Sequence, residues 1–197
     1  MKALLSRVNN ILLHPKTEWQ VIRDETATYP GIVLRYISIL SVIPPAASVA
    51  GRYIFDGNVS DSVLFSSPRH LMLSNVLWYC MYIMNVMITG AVVTSIMAAA
   101  ESRWRGVRGL QIAAYSFTPL FIAGFIAVIP HMTWCIHIAV LYGMYILYLG
   151  MRALFAMRGM RAAVHAAASI AAAAVIVGVM NLFEYLLESF IMKKMFV

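Results

Sequence analysis

Five apolar blocks, at roughly 31–51, 71–100, 110–129, 132–153 and 162–183, dominate this chain and leave it few folds to choose from. Each is at or above the roughly 20 residues that a helix needs to cross a bilayer. In hydrocarbon every backbone N–H and C=O must be satisfied within the protein, which leaves helices or closed barrels. The blocks are continuously apolar and do not alternate, so they read as helices. The expectation is an all-α polytopic membrane bundle with five transmembrane helices. Composition agrees: 62% of residues are hydrophobic and 12% charged, against about a quarter charged in a soluble domain. Residues 31–197 form the membrane domain, and no separate soluble domain has room.

Residues 1–30 read differently. Leu4, Leu5, Val8, Ile11 and Leu12 fall on one face of a short amphipathic helix. Pro15 starts a second helix, and Trp19 and Ile22 give it an apolar edge. Such helices suit the membrane interface, with Trp19 as an interfacial anchor. The formal charge of +7 is carried by residues flanking the apolar blocks. With alternating connections, ten basic residues fall on the side of the N-terminus: Lys2, Arg7, Lys16, Arg23, Arg103, Arg105, Arg108, Arg152, Arg158 and Arg161. Four fall opposite: Arg52, Arg69, Lys193 and Lys194. The bias predicts a cytoplasmic N-terminus and an external C-terminus. It also predicts anionic lipid headgroups on the cytoplasmic side as partners. Nucleic acid is not expected, since no basic face with interleaved aromatics is present.

Proline breaks mark two spans. The stretch "AAYSFTPLFIAGFIAVIP" sets Pro119 beside Thr118 and Ser116, and "VIPPAAS" places Pro44 and Pro45 in span one. The carbonyl that Pro119 frees needs a partner within the bundle, and Ala123, Gly124 and Ala127 allow a neighbouring helix to approach closely. In span two, Asn85 and Thr89 share a face and offer an interhelical hydrogen bond. Arg35 is the charge inside a span. By offset from the helix ends it shares a level with Tyr115 and Tyr148, and Glu101 can reach that level. These four are expected to form an intramembrane cluster with Arg35 pointing inward, open to an anionic headgroup. Tyr142, Tyr145 and Tyr148 form a packing stripe, Cys80 and Cys135 are apolar packing residues, and His137 stands without metal-ligand company in the sequence. Glu184 and Glu188 belong to a solvated end of span five. No HExxH, GxSxG or phosphate-binding loop occurs, so no catalytic residue, metal or cofactor is assigned.

"HPKTEWQVIRDE", "SVIPPAAS", "AAYSFTPLFIAG" and "LYLGMRALF", in this order and spacing, resemble the Yip1 family, in particular its short bacterial inner-membrane branch. The resemblance implies five transmembrane helices and a bacterial inner-membrane location, and carries over no catalytic residues. Eukaryotic members act in membrane traffic and bind small prenylated GTPases. This chain departs from them in the region before span one, and that role is not carried over. The reading reached is a non-enzymatic integral membrane protein that acts by helix-mediated partner binding or by organising lipid. A homo-oligomer or other membrane proteins are possible partners. The alternative is a small channel or carrier built on the Pro-broken spans one and three.

Overall fold

The computed structural model describes residues 2–55, 68–100, 107–129, 132, 135–155 and 159–195. All ordered elements among them are helical. Two short helices, α1 (Lys2–Leu13) and α2 (Pro15–Asp24), precede the membrane domain. Five segments are long and apolar enough to cross a membrane: Tyr29–Gly51, Met72–Ala98, Arg108–Ile126, Cys135–Leu154 and Val164–Leu187. Spans two and five sit in the longer helices α6 (Pro68–Ala100) and α10 (Gly159–Met195), and span four is α9 (Cys135–Leu154). The connection containing residues 56–67 and the Pro130-His131 turn lie outside the described residues. Span three is the most buried of the five and span five the least.

Span one is interrupted twice. It opens as α3 (Tyr29–Ile32), where Thr28 Oγ1 accepts from the Gly31 N–H at 3.3 Å, as an N-cap should. A π-helical turn follows at Val33–Ile37. The Ser38 hydroxyl donates to the Val33 carbonyl at 2.8 Å. After α4 (Ser38–Leu40) the chain breaks and restarts as α5 (Ile43–Phe55), with Pro44 and Pro45 in its first turn. Span three does the same. It runs as α7 (Arg108–Ser116), stops at Phe117 and restarts as α8 (Thr118–Ala123), then tightens into a 3₁₀ turn at Gly124–Val128. Pro119 therefore occupies a helix start, where its missing N–H would be without a helical partner anyway. All three prolines are buried.

Span three holds its central place through close backbone approaches. A Cβ on Gly109 would lie 2.6 Å from the Gly90 carbonyl oxygen, so spans two and three meet main chain to main chain. A Cβ on Gly124 would lie 2.5 Å from Pro44 Cγ, which sets the 3₁₀ end of span three directly against the restart of span one. Gly124→Leu is therefore expected to cost about 1–3 kcal/mol through overpacking, read as a lower thermal midpoint in detergent. Phe125→Leu, next to it on the exposed side, should change little. Equal effects at the two positions would remove the packing account of this crossing.

Candidate functional site

The site begins in two apolar stripes that each contain one charge. On α1 the residues Leu4, Arg7, Val8 and Ile11 follow the i, i+3, i+4, i+7 pattern of one helical face. On α2, Pro15, Glu18, Trp19 and Ile22 do the same. Folding these stripes together buries Val8, Ile11, Trp19 and Ile22 and brings the two charges into contact. One Arg7 guanidinium nitrogen donates to Glu18 Oε1 at 2.5 Å, and the other donates to both Glu25 oxygens at 2.5 and 2.6 Å. Glu18 is only 7% exposed. Burial on its own would lower the Arg7 pKa, but the Glu25 hydrogen bond and the charges of Glu25 and Glu18 outweigh it and push it up. Arg7 is thus held as a cation.

The same guanidinium lies over the Tyr115 ring, 5.9 Å from its centroid. Trp19 meets Tyr115 edge-on at 5.8 Å, and Tyr36 meets it edge-on at 4.8 Å. The Tyr36 hydroxyl then reaches Thr118 Oγ1 at 2.7 Å, while Thr118 Oγ1 donates back to the Ala114 carbonyl at 3.5 Å. A continuous set of contacts therefore runs from Glu25 through Arg7 and Tyr115 to the π turn of span one and the break in span three. Single π turns inside helices recur at functional sites.

The hairpin of α1 and α2 is also fastened along span four. A Cβ on Gly150 would lie 2.6–2.9 Å from three ring atoms of Trp19, so glycine is what admits the indole. The Tyr142 hydroxyl donates to the Leu12 carbonyl at 2.6 Å. Arg108, opening span three, donates to the Ile22 and Arg23 carbonyls at 3.2 and 2.9 Å, satisfying the C-terminal end of α2. Tyr142 and Gly150 are two turns apart, about 12 Å. The hairpin tip consequently reaches past the middle of span four, while Asp24 stays at the end marked by Arg108 and Arg152. This corrects the expected place of Trp19: it is no interfacial anchor but is 1% exposed inside the protein.

The expected intramembrane cluster assembles around a different cation. Arg35 is exposed, and among the described residues it makes no hydrogen bond, ion pair or ring contact, so it does not point into the bundle. Arg7 occupies the place over Tyr115. Tyr148 is elsewhere, beneath Arg152 at 5.7 Å, and Glu101 lies outside the described residues. Thr118 and Pro119 are at the site, Pro44 and Pro45 on the adjoining break. Asn85 and Thr89 are buried, yet Asn85 Oδ1 and Thr89 Oγ1 have no hydrogen-bond partner among the described residues, so the expected interhelical bond is absent. The Tyr stripe packs as Tyr142 stacked on Tyr145 at 6.0 Å. No three His, Cys, Asp or Glu among the described residues gather as metal ligands.

Comparison with known proteins gives one family. The Yip1 domain model matches residues 9–180. The chain is 27% identical over 150 residues to the inner membrane protein YohC of Escherichia coli strain K12, covering 74% of this chain and 77% of that one. The YohC protein of Escherichia coli O6:H1 matches with the same figures. No solved structure matches. The matched region takes in the Arg7 partners Glu18, Glu25 and Tyr115, and starts two residues after Arg7 itself.

Proposed function

Since the chain belongs to the Yip1 domain family, we propose that it is a non-enzymatic, multi-pass inner-membrane protein that gathers anionic lipid around its clasped N-terminal hairpin. One observation carries this reading: the hairpin turns its Arg7 and Glu18 inward and its other cations outward. On the hairpin Lys2, Lys16 and Arg23 are exposed, among the exposed apolar residues Leu5, Leu13 and Val21, and Arg35 is exposed on the adjoining span one. Lys16 sits near the hairpin tip, level with the middle of span four. A cation at that depth is costly in lipid tails unless headgroups and water are drawn toward it. The basic end of the bundle, with Arg108 and Arg152, faces the cytoplasm in this reading. Cation-lined, lipid-facing polar surface is how juxtamembrane segments attract anionic leaflets.

The channel alternative has less support. Breaks in spans one and three do adjoin, but Pro44 packs directly on Gly124 where they cross. Reconstitution separates the two. In vesicles containing phosphatidylglycerol the thermal midpoint should rise above that in phosphatidylcholine alone, because a ligand of the native state stabilises it, and Lys2→Gln/Lys16→Gln should reduce the rise. Equal midpoints in both lipids, or specific solute flux lost on Pro119→Ala, would reject the lipid reading. Cysteines placed at Ser60 and Ser102 should label from opposite faces, with Ser102 cytoplasmic.

A further inference from the structure

The hairpin of α1 and α2 stands upright in one leaflet. A Cβ on Gly143 would lie 2.6 Å from the Ser116 carbonyl oxygen, so spans three and four meet near the midpoints of both. Tyr142, next to that meeting point, holds the Leu12 carbonyl at the hairpin tip. There α1 also packs on α8, beyond the break in span three. Trp19, midway along α2, sits on Gly150, about 12 Å from Tyr142 along span four. The far end of α2 is held by Arg108, where span three opens. The second helix therefore runs alongside span four, from the middle of the spans to the mouth on the N-terminal side. That depth is about 15 Å of hydrocarbon, half of the roughly 30 Å core.

The side of the hairpin turned away from the bundle is polar along its length. Lys2, Ser6 and Asn9 on α1 and Lys16, Gln20 and Arg23 on α2 are exposed, each set spaced i, i+4, i+7 along one face. Lys16 lies about 10 Å deeper than Arg23. Polar groups at such depths are costly in lipid tails, and the cost falls when water and headgroups come to them. A headgroup that has followed the stripes to the tip has only the opposite half of the core left to cross. We propose that the two stripes form a ramp for phospholipid headgroups and that the protein thereby exchanges phospholipid between the leaflets. The ramp supplies no energy, so exchange runs in both directions and equalises the leaflets. The proposal rests on the lipid reading of the hairpin and adds an activity to it.

Full-length protein in vesicles of phosphatidylglycerol and phosphatidylcholine, with a trace of phosphatidylglycerol fluorescently labelled on its acyl chain, tests this by dithionite quenching. Protein-free vesicles should lose only the fluorescence of the outer leaflet, and wild-type vesicles nearly all of it. Asn9→Leu/Gln20→Leu makes both stripes less polar without changing charge. It should slow exchange by about tenfold, the rate change that goes with losing one hydrogen bond to a charged headgroup. The rise of the thermal midpoint in phosphatidylglycerol should persist in that variant. Lys16→Leu, at the deep end, should also slow exchange, and decides the matter if the double variant fails to fold. Wild-type vesicles that behave like protein-free ones would overturn the proposal, as would exchange unchanged in both variants. Quenching of a soluble fluorophore trapped in the same vesicles would mean an open pore and would overturn it too. If exchange is missing while the midpoint still rises in phosphatidylglycerol, the ramp falls and the lipid reading stands; if both are missing, both fall.

Discussion

Arg7→Met is expected to destabilise the protein by about 3–5 kcal/mol, the usual loss when one partner of a buried ion pair is removed. Methionine keeps the apolar stem but leaves the Glu18 carboxylate buried with no cation. Glu18 has a side chain only 9% exposed, so solvent does not rescue it. Glu25 is 42% exposed and contributes less to the loss. The hairpin should undock, opening the bonds at Lys16 and Arg23 to trypsin and lowering the thermal midpoint. Glu18→Gln should cost less, about 1–2 kcal/mol, because Arg7 retains Glu25. The double variant Arg7→Met/Glu18→Leu should recover most of the stability, since a well-packed apolar pair can replace a buried ion pair. A double variant as unstable as the sum of the singles would show that the two residues act apart.

Gly150→Leu should have an effect of similar size by a different route. An added Cβ would lie 2.6 Å from Trp19 Cζ2, and the ring is also held edge-on by Tyr115. Even Gly150→Ala should lose stability, by about 1–3 kcal/mol. The sign is informative, because glycine to alanine inside a helix ordinarily gains about 0.5–1 kcal/mol. Gly178→Ala supplies the comparison: nothing lies within 4 Å of the Cβ it would add, so it should be neutral or stabilising. Protease sensitivity of the hairpin should appear in the Gly150 variants and not in the Gly178 variant. A stabilising Gly150→Ala would mean that Trp19 does not dock there.

Five spans could be read from the sequence because block length and continuous apolarity answer directly to bilayer thickness. The break at Thr118-Pro119 could be read because proline chemistry is local. The docking of the hairpin could not, for an apolar helix face suits lipid and protein equally well. Its signal was nonetheless present: Arg7 and Glu18 occupy the same position within two apolar stripes, and a charge inside such a stripe calls for a buried counter-charge. Arg35 went astray for a geometric reason. Offsets from helix ends give height, not direction, and successive helical residues point about 100° apart. Its neighbour Tyr36 faces inward and meets Tyr115, while Arg35 faces out. The π turn at Val33–Ile37 also shifts the helical phase that a regular period assumes. Asn85 shows the complementary case: its polarity was visible, but its Oδ1 is buried without a hydrogen-bond partner among the described residues, so a polar pair at i and i+4 does not by itself place a neighbour to receive it.

The lipid account turns on what surrounds the protein in its own membrane. Extracting it with its annular lipid in polymer-bounded discs, and measuring the ratio of phosphatidylglycerol to zwitterionic lipid against that of the bulk membrane, tests it most directly. The wild-type discs should be enriched in anionic lipid, and Lys2→Gln/Lys16→Gln/Arg35→Gln, which leaves the Arg7 clasp untouched, should bring the ratio back toward that of the bulk. Wild-type discs with bulk composition, or enrichment that survives the triple substitution, would contradict it.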